Sequence, residues 1–247
     1  MMGAEGNLPY AATRVQARHG QRVDELTWRR IETSPRLGQY FEAVRGSPLA
    51  PWVASIDPAH DVHAMERTLR SEWRKYVRLV ASWHPREWQA WVDWWSWLPA
   101  LLLLSRLARP EPVPAWMLAD PLCGPIALGG PSERAAALEA TLLRPLAAAV
   151  RGEVSIGAAW LAEAARRVPR VDAQTRESLK ALLRLQARAT EPTRPSARIP
   201  LLRLFRAAAG SAIASGCHLA LLSLELERLR GGLVVRRLFE AASSEAA

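Results

Sequence analysis

The amino-acid sequence predicts an all-α protein, a multi-helix bundle with two helical subdomains. Three observations support this fold class. Apolar residues recur at helical spacing along most of the chain. Helix start signals such as Asp24, Ser34-Pro35 and Asp57-Pro58 precede several of these segments. No run of Val, Ile or Thr shows the alternating apolar and polar pattern of a strand.

Three helices are expected before residue 50. The first covers residues 9–22, and the second begins at a capping residue, Asp24, and runs to Arg30. The third begins at Ser34-Pro35, a capping residue followed by proline at the first helical position, and ends near Gly46.

A long helix is predicted over residues 58–83, starting from Asp57-Pro58. Its apolar residues form one seam with a repeat of seven: Val62, Leu69, Tyr76 and Trp83. Glu66 falls on this seam, where a carboxylate must be paired or neutralised. Arg14 and Arg18 lie four apart on the first helix, and we expect them to form a buried ion pair with Glu66.

The next helix starts at His84-Pro85, is interrupted at Pro99, and contains five of the chain's 11 tryptophans. These five are interface candidates: Trp88, Trp91, Trp94, Trp95 and Trp97. Trp88, Trp91 and Trp95 share one helical face, whereas Trp97 lies away from it. Core packing explains such a face best, a protein interface comes second, and a membrane-surface or base-stacking helix third.

A proline-rich connection, residues 109–131, separates an N-terminal subdomain (1–108) from a C-terminal one (132–247). The C-terminal part is expected to contain helices over 133–150, 156–168 and 173–189, and a linker over 190–200. A further helix over 201–230, bent at Gly210 and Gly216, is expected to end at Gly231-Gly232.

The net charge is +9, and all but two of the 33 basic residues are arginine, the exceptions being Lys75 and Lys180. Such an excess fits an acidic partner or a compositional bias towards arginine, which also accounts for the scarcity of lysine. Cys123 and Cys217 have no metal-ligand spacing and indicate a reducing compartment. The sequence shows no signal peptide, and its apolar runs are shorter than the roughly twenty residues that span a bilayer. We therefore expect a cytoplasmic protein.

No catalytic signature, cofactor motif or complete metal site is apparent. His60, His63 and Glu66 are spaced three apart, so they lie on successive turns of a helix. Helical metal sites of this kind need a second such pair and further carboxylates. We therefore predict no catalytic residue, no metal ligand and no cofactor.

In the N-terminal third, Tyr10 precedes an arginine-rich helix that contains Arg14, Val15 and Arg18. Met65, Glu66 and Leu69 place an acidic residue between apolar ones on the long helix, and "LELERLRGGLVVRRL" lies near the C-terminus. In these residues the chain resembles the C/d-subunit family of V-type ATPases, in its opening helix, its next acidic segment and its last long helix. The resemblance implies a non-enzymatic protein that docks a rotor ring to the central stalk on the cytoplasmic face of a membrane.

The expected partners are therefore proteins, such as a membrane ATPase assembly, with peripheral membrane association through the partner. Two alternatives stay open. A basic helical module could bind nucleic acid, with affinity that falls steeply with salt. A helical enzyme could place its site between the long helices and the proline-rich loop, in a deep polar pocket.

Overall fold

The all-α prediction is confirmed. The computed structural model describes residues 7–189 and 197–245, and these residues contain no strand. The α-helices are α1 (Leu8–Gly20), α2 (Glu25–Glu32), α3 (Leu37–Arg45), α4 (Ala50–Val53), α5 (Val62–Ser82), α6 (Arg86–Trp94), α7 (Leu101–Leu107), α8 (Ala115–Leu118), α9 (Pro131–Glu139), α10 (Ala147–Val150), α11 (Ile156–Arg166), α12 (Ala173–Ala189), α13 (Arg198–Ala207) and α14 (Ala212–Glu245). Short 3-10 segments cover Trp95–Ala100, Gly124–Ile126 and Arg144–Leu146.

Helix α14 is the axis of the bundle. It contacts α1, α3, α5, α6, α12 and α13. Residues 212–222 of α14 are all buried, and most of them are Ala, Gly, Ser or Leu. Because small side chains let neighbouring backbones approach, this composition allows one helix to be enclosed on every side.

The chain turns sharply before α14, at Gly210. This glycine has φ +86°, a left-handed conformation that other residues avoid. The predicted continuous helix over 201–230 is therefore two helices, α13 and α14. Most of the expected linker over 190–200 is not described, because residues 190–196 lie outside the described residues and α13 already includes residues 198–200.

Two of the predicted helix breakers in α14 are close-packing positions instead. A Cβ placed on Gly216 would lie 2.6 Å from side-chain atoms of Trp91 and Leu182. A Cβ placed on Gly232 would overlap the Oη atom of Tyr40. The predicted end at Gly231-Gly232 is wrong, because α14 continues through both glycines to Glu245.

Helix α5 begins four residues later than predicted. The Asp61 carboxylate accepts a hydrogen bond of 2.7 Å from the backbone N–H of Ala64, so Asp61 is the capping residue. Asp57 forms a turn instead, accepting from the N–H of Ala59 at 2.8 Å. Both aspartates are good caps, and only the one adjacent to the buried seam starts the helix.

Prolines also divide two predicted helices. The helix expected over 133–150 is split into α9 and α10 by the 3-10 turn Arg144–Leu146, which contains Pro145. Pro99 lies inside the 3-10 segment Trp95–Ala100, after which the chain continues as α7.

The buried apolar residues form one cluster, which includes residues from both sides of the proline-rich connection. Met117, Cys123 and Ile126 belong to this connection and are buried in the same cluster. Within the described part of the chain, no helix is both long enough and apolar enough to cross a membrane.

The tryptophan helix contributes to this core. Trp88, Trp91, Trp94 and Trp95 are buried, so four of the five interface candidates pack within the chain, as the core interpretation predicts. Trp97 is half-buried, and the guanidinium of Arg74 lies 4.7 Å from its ring centroid. The Trp94 ring N–H donates to the carbonyl of Trp160 at 3.0 Å, joining the N-terminal and C-terminal parts of the chain.

The packing at Gly216 can be tested by a pair of substitutions in α14. We expect Gly216→Ala to destabilise the protein by about 1–3 kcal/mol, because overpacking against Trp91 and Leu182 outweighs the gain in helix propensity. Gly231→Ala is the control, since a Cβ there meets nothing within 4 Å and Gly231 is exposed. It should stabilise the protein by about 0.5–1 kcal/mol. Urea unfolding measures both, and a stabilising Gly216→Ala would contradict the close packing.

Candidate functional site

A cavity of about 600 Å³ lies between the two long helices, α5 and α14, and the proline-rich connection. Its other walls come from α7, α12 and the first turn of α11. The lining is largely apolar, with side chains such as Leu69, Trp73, Leu101 and Leu226. A group of polar side chains is added by α5, α12 and α14. This cavity occupies the place in which the enzyme alternative expects its site.

Glu66 lines the cavity and pairs with Arg230 of α14. The Arg230 Nε donates to Glu66 Oε1 at 2.6 Å, and Nη2 of the same guanidinium lies 2.5 Å from that oxygen. The Arg70 Nη1 is 4.0 Å from the other oxygen, Oε2. Glu66 therefore forms an ion pair, but its partners are on α14 and α5, and the Arg230 side chain is 42% exposed.

The predicted partners of Glu66 on α1 are wrong. The Arg14 guanidinium lies over the rings of Tyr10 and Trp83, 5.3 Å from the Trp83 centroid. The Arg18 side chain donates to Gln21 at 3.3 Å. Both arginines are on the exposed side of α1, because α1 packs through Ala11 and Val15.

Asp120 anchors the proline-rich connection to α5. Its Oδ2 accepts a short hydrogen bond from Arg70, and both side chains are buried. Its Oδ1 accepts from the backbone N–H of Leu122 at 2.9 Å. One carboxylate thus shapes the loop and fixes it beside the cavity. No local pattern indicates this role, because Asp120 and Arg70 are 50 residues apart in the chain.

His63 and Gln186 complete the polar part of the lining. The His63 ring stacks on Trp116 with 4.1 Å between centroids and 4° between planes, so the first turn of α5 contacts α8. The Gln186 side chain is 3% exposed, and its Oε1 has no hydrogen-bond partner among the described residues. Within residues 7–189 and 197–245, no three His, Cys, Asp or Glu side chains are placed to hold a metal ion.

No family model, curated protein or solved structure matches this chain. Its function is therefore inferred from the geometry of the cavity and from the charges around it.

A second polar cluster lies where α1, α5 and α6 meet α14. His218 shares a 2.7 Å hydrogen bond with the Tyr76 hydroxyl, and His84 shares one of 2.8 Å with Ser215. The His19 ring stacks on Phe205 with 3.9 Å between centroids. These contacts tie neighbouring segments to α14 and its approach, and none of the residues that make them lines the cavity.

Burial keeps the histidines of this cluster neutral. Desolvation lowers the pKa of His84 to about 4. Desolvation, helped by the nearby charge of Arg22, lowers the pKa of His19 to about 4 and that of His218 to about 3. Desolvation also raises the pKa of the Tyr76 hydroxyl to about 12, so the tyrosine stays neutral too.

These depressed pKa values predict loss of stability in mild acid. The histidines bind protons in the unfolded state below about pH 6.5 but resist them in the folded state until about pH 4 or lower. Their stabilising contribution is therefore complete above about pH 6.5 and declines as the pH falls. The urea midpoint should drop between about pH 7.5 and about pH 5.

A histidine variant isolates this effect. Burial raises the pKa of Glu225, so protonation of this carboxylate adds stability as the pH falls and opposes the effect of the histidines. For this reason wild type is compared with His84→Gln. The glutamine retains a polar group for Ser215 but does not titrate. We expect a smaller drop of the midpoint in His84→Gln, and equal drops would contradict the assignment.

Proposed function

We propose that this chain is a binding protein whose cavity holds a small, largely apolar organic molecule. One observation carries the proposal: about 600 Å³ of space with largely apolar walls to which α5, α7, α12 and α14 add polar and charged groups. Cavities of this size and composition are typical of small-molecule sites.

The walls of the cavity are fixed in place by specific contacts. The Trp73 ring N–H donates to the carbonyl of Trp95 at 2.8 Å, which holds α5 against the 3-10 segment. Arg70 holds the proline-rich connection through Asp120, and Arg230 holds α14 to α5 through Glu66. A site whose walls are already ordered costs less entropy when a ligand binds.

An occupied cavity is also favoured on energetic grounds. The cavity opens to solvent, since Leu102 in its lining is 55% exposed, so its apolar side chains face water. A molecule that fills the space removes this apolar surface from water, which is favourable. Binding should therefore raise the unfolding temperature as the ligand concentration increases.

The cavity proposal can be tested with N-phenyl-1-naphthylamine, a neutral dye whose fluorescence rises in apolar sites. We expect one bound dye per wild-type chain. Gly157 lines the cavity in the first turn of α11, and a Cβ there meets nothing within 4 Å. Gly157→Phe should therefore fill part of the space and weaken dye binding at least about tenfold.

Gly38→Phe is the matched control. Gly38 is likewise the second residue of a helix, α3, and a Cβ there also meets nothing within 4 Å, but it is exposed and does not line the cavity. This variant should bind the dye as wild type does. The unfolding temperature of each variant shows that it is folded. Absence of dye binding to wild type, or equal binding by Gly157→Phe, would contradict the proposal.

We also propose, from the resemblance to the C/d-type proteins of V-type ATPases, that the chain docks onto a membrane ATPase assembly. One observation favours it: Tyr10 is 47% exposed and the Arg14 guanidinium lies beside it, so this part of the family pattern is accessible to a partner. A tagged chain should then recover components of an ATPase from native membranes, and Tyr10→Ala should reduce the yield. Recovery of no ATPase component would contradict this function.

A further inference from the structure

We infer that the molecule bound in the cavity carries a hydrogen-bond donor, a hydroxyl or an amino group, on an apolar body, and that this donor is received by Glu66. The inference rests on the proposed small-molecule function and specifies the chemical class of the ligand.

The arginines of the cavity are already committed to carboxylates. Arg230 is bound to Glu66, and Arg70 to Asp120. Arg106 Nη1 lies 2.7 Å from a carboxylate oxygen of Glu111. The charges of these guanidinium groups are therefore already balanced by internal carboxylates, so an anionic ligand would enter the cavity without an unpaired cation to neutralise it.

An acceptor oxygen on Glu66 remains open. Oε1 takes the contacts from Arg230, whereas the nearest cation to Oε2 is Arg70 Nη1 at 4.0 Å, beyond hydrogen-bond distance. The carboxylate is largely buried, with 11% of its side chain exposed. Oε2 therefore belongs to a carboxylate that lines an apolar cavity and has capacity for a donor.

Gln186, in the wall from α12, does not supply a second acceptor. Its Oε1 has no hydrogen bond among the described residues, but this atom is buried and the residue is 3% exposed, so a molecule in the cavity does not reach it. Glu66 is therefore the group that receives the donor of the ligand.

Two of the three serine hydroxyls in the lining point to the same ligand chemistry. Ser105 donates to the carbonyl of Leu101, and Ser223 donates to that of Ala220, each at 2.8 Å. Their hydrogens are used within the helices, so towards the cavity they offer lone pairs. The third, Ser155, accepts from the N–H of Ala158 at 3.1 Å and keeps its own hydrogen. The Arg230 side chain is 42% exposed, so water can satisfy the N–H groups that Glu66 leaves free.

The experiment displaces N-phenyl-1-naphthylamine from the full chain with four probes of similar length. Octan-1-ol and octylamine carry donors, octyl methyl ether carries only an acceptor, and octanoate is an anion. In wild type we expect both donor probes to compete about tenfold more strongly than octanoate. Stronger competition by octylamine identifies an ammonium group on Glu66, and equal or stronger competition by octan-1-ol identifies a hydroxyl.

Two variants show whether the Glu66 carboxylate is responsible. Glu66→Met and Glu66→Leu should each lower the preference for octan-1-ol over the ether by about five- to tenfold, because the acceptor is lost. Both should also strengthen octanoate binding, since Arg230 and Arg70 lose a carboxylate. The control on the same helix is Glu72→Met, whose carboxylate binds Lys75 and which does not line the cavity.

The outcomes separate this inference from the function on which it rests. If octanoate competes as well as octan-1-ol in wild type, or if both variants keep the wild-type preference, the ligand class is wrong. In that case dye binding that is blocked by Gly157→Phe still supports a small-molecule site. If the dye does not bind wild type at all, the proposed function itself is contradicted.

Discussion

The whole bundle depends on the close approach of neighbouring helices to α14. A helix enclosed on all sides must present small residues wherever a large partner crosses it, and Gly216 does so beneath Trp91 and Leu182. Gly232 repeats the arrangement beneath Tyr40. The large rings fill the volume that the glycines leave. The tryptophan-rich helix, α6, and the glycine-containing helix, α14, therefore have complementary shapes where they meet.

Arginine side chains of α14 also hold neighbouring helices in place. Arg228 on α14 binds Glu32 at 2.6 Å and Glu25 at 3.0 Å, and stacks over Trp28 with 4.7 Å to the ring centroid. These carboxylates raise the pKa of Arg228 further. The planar, multi-donor guanidinium suits such contacts better than an ammonium would. Part of the chain's positive charge therefore serves to fix α2 and α5 to α14, through Arg228 and Arg230.

Local periodicity and capping were sufficient to predict the fold class and the starts of helices such as α2, α6, α11 and α12. They misplaced the start of α5, since Asp57 and Asp61 are equivalent as caps and only the packing of α5 selects Asp61. The seam position of Glu66 indicated that it needs a cation but not that Arg230 provides it, because the two are 164 residues apart in the chain. The cavity itself could not be predicted, since it results from how α5, α14 and the proline-rich connection meet.

The edge-to-face tryptophans have an optical consequence. The centroids of Trp91 and Trp95 are 6.2 Å apart, and those of Trp95 and Trp160 are 5.2 Å apart. At such separations excitation energy can pass between neighbouring indoles before it is emitted. Emission from these rings therefore reports on the shared interior of both halves of the protein.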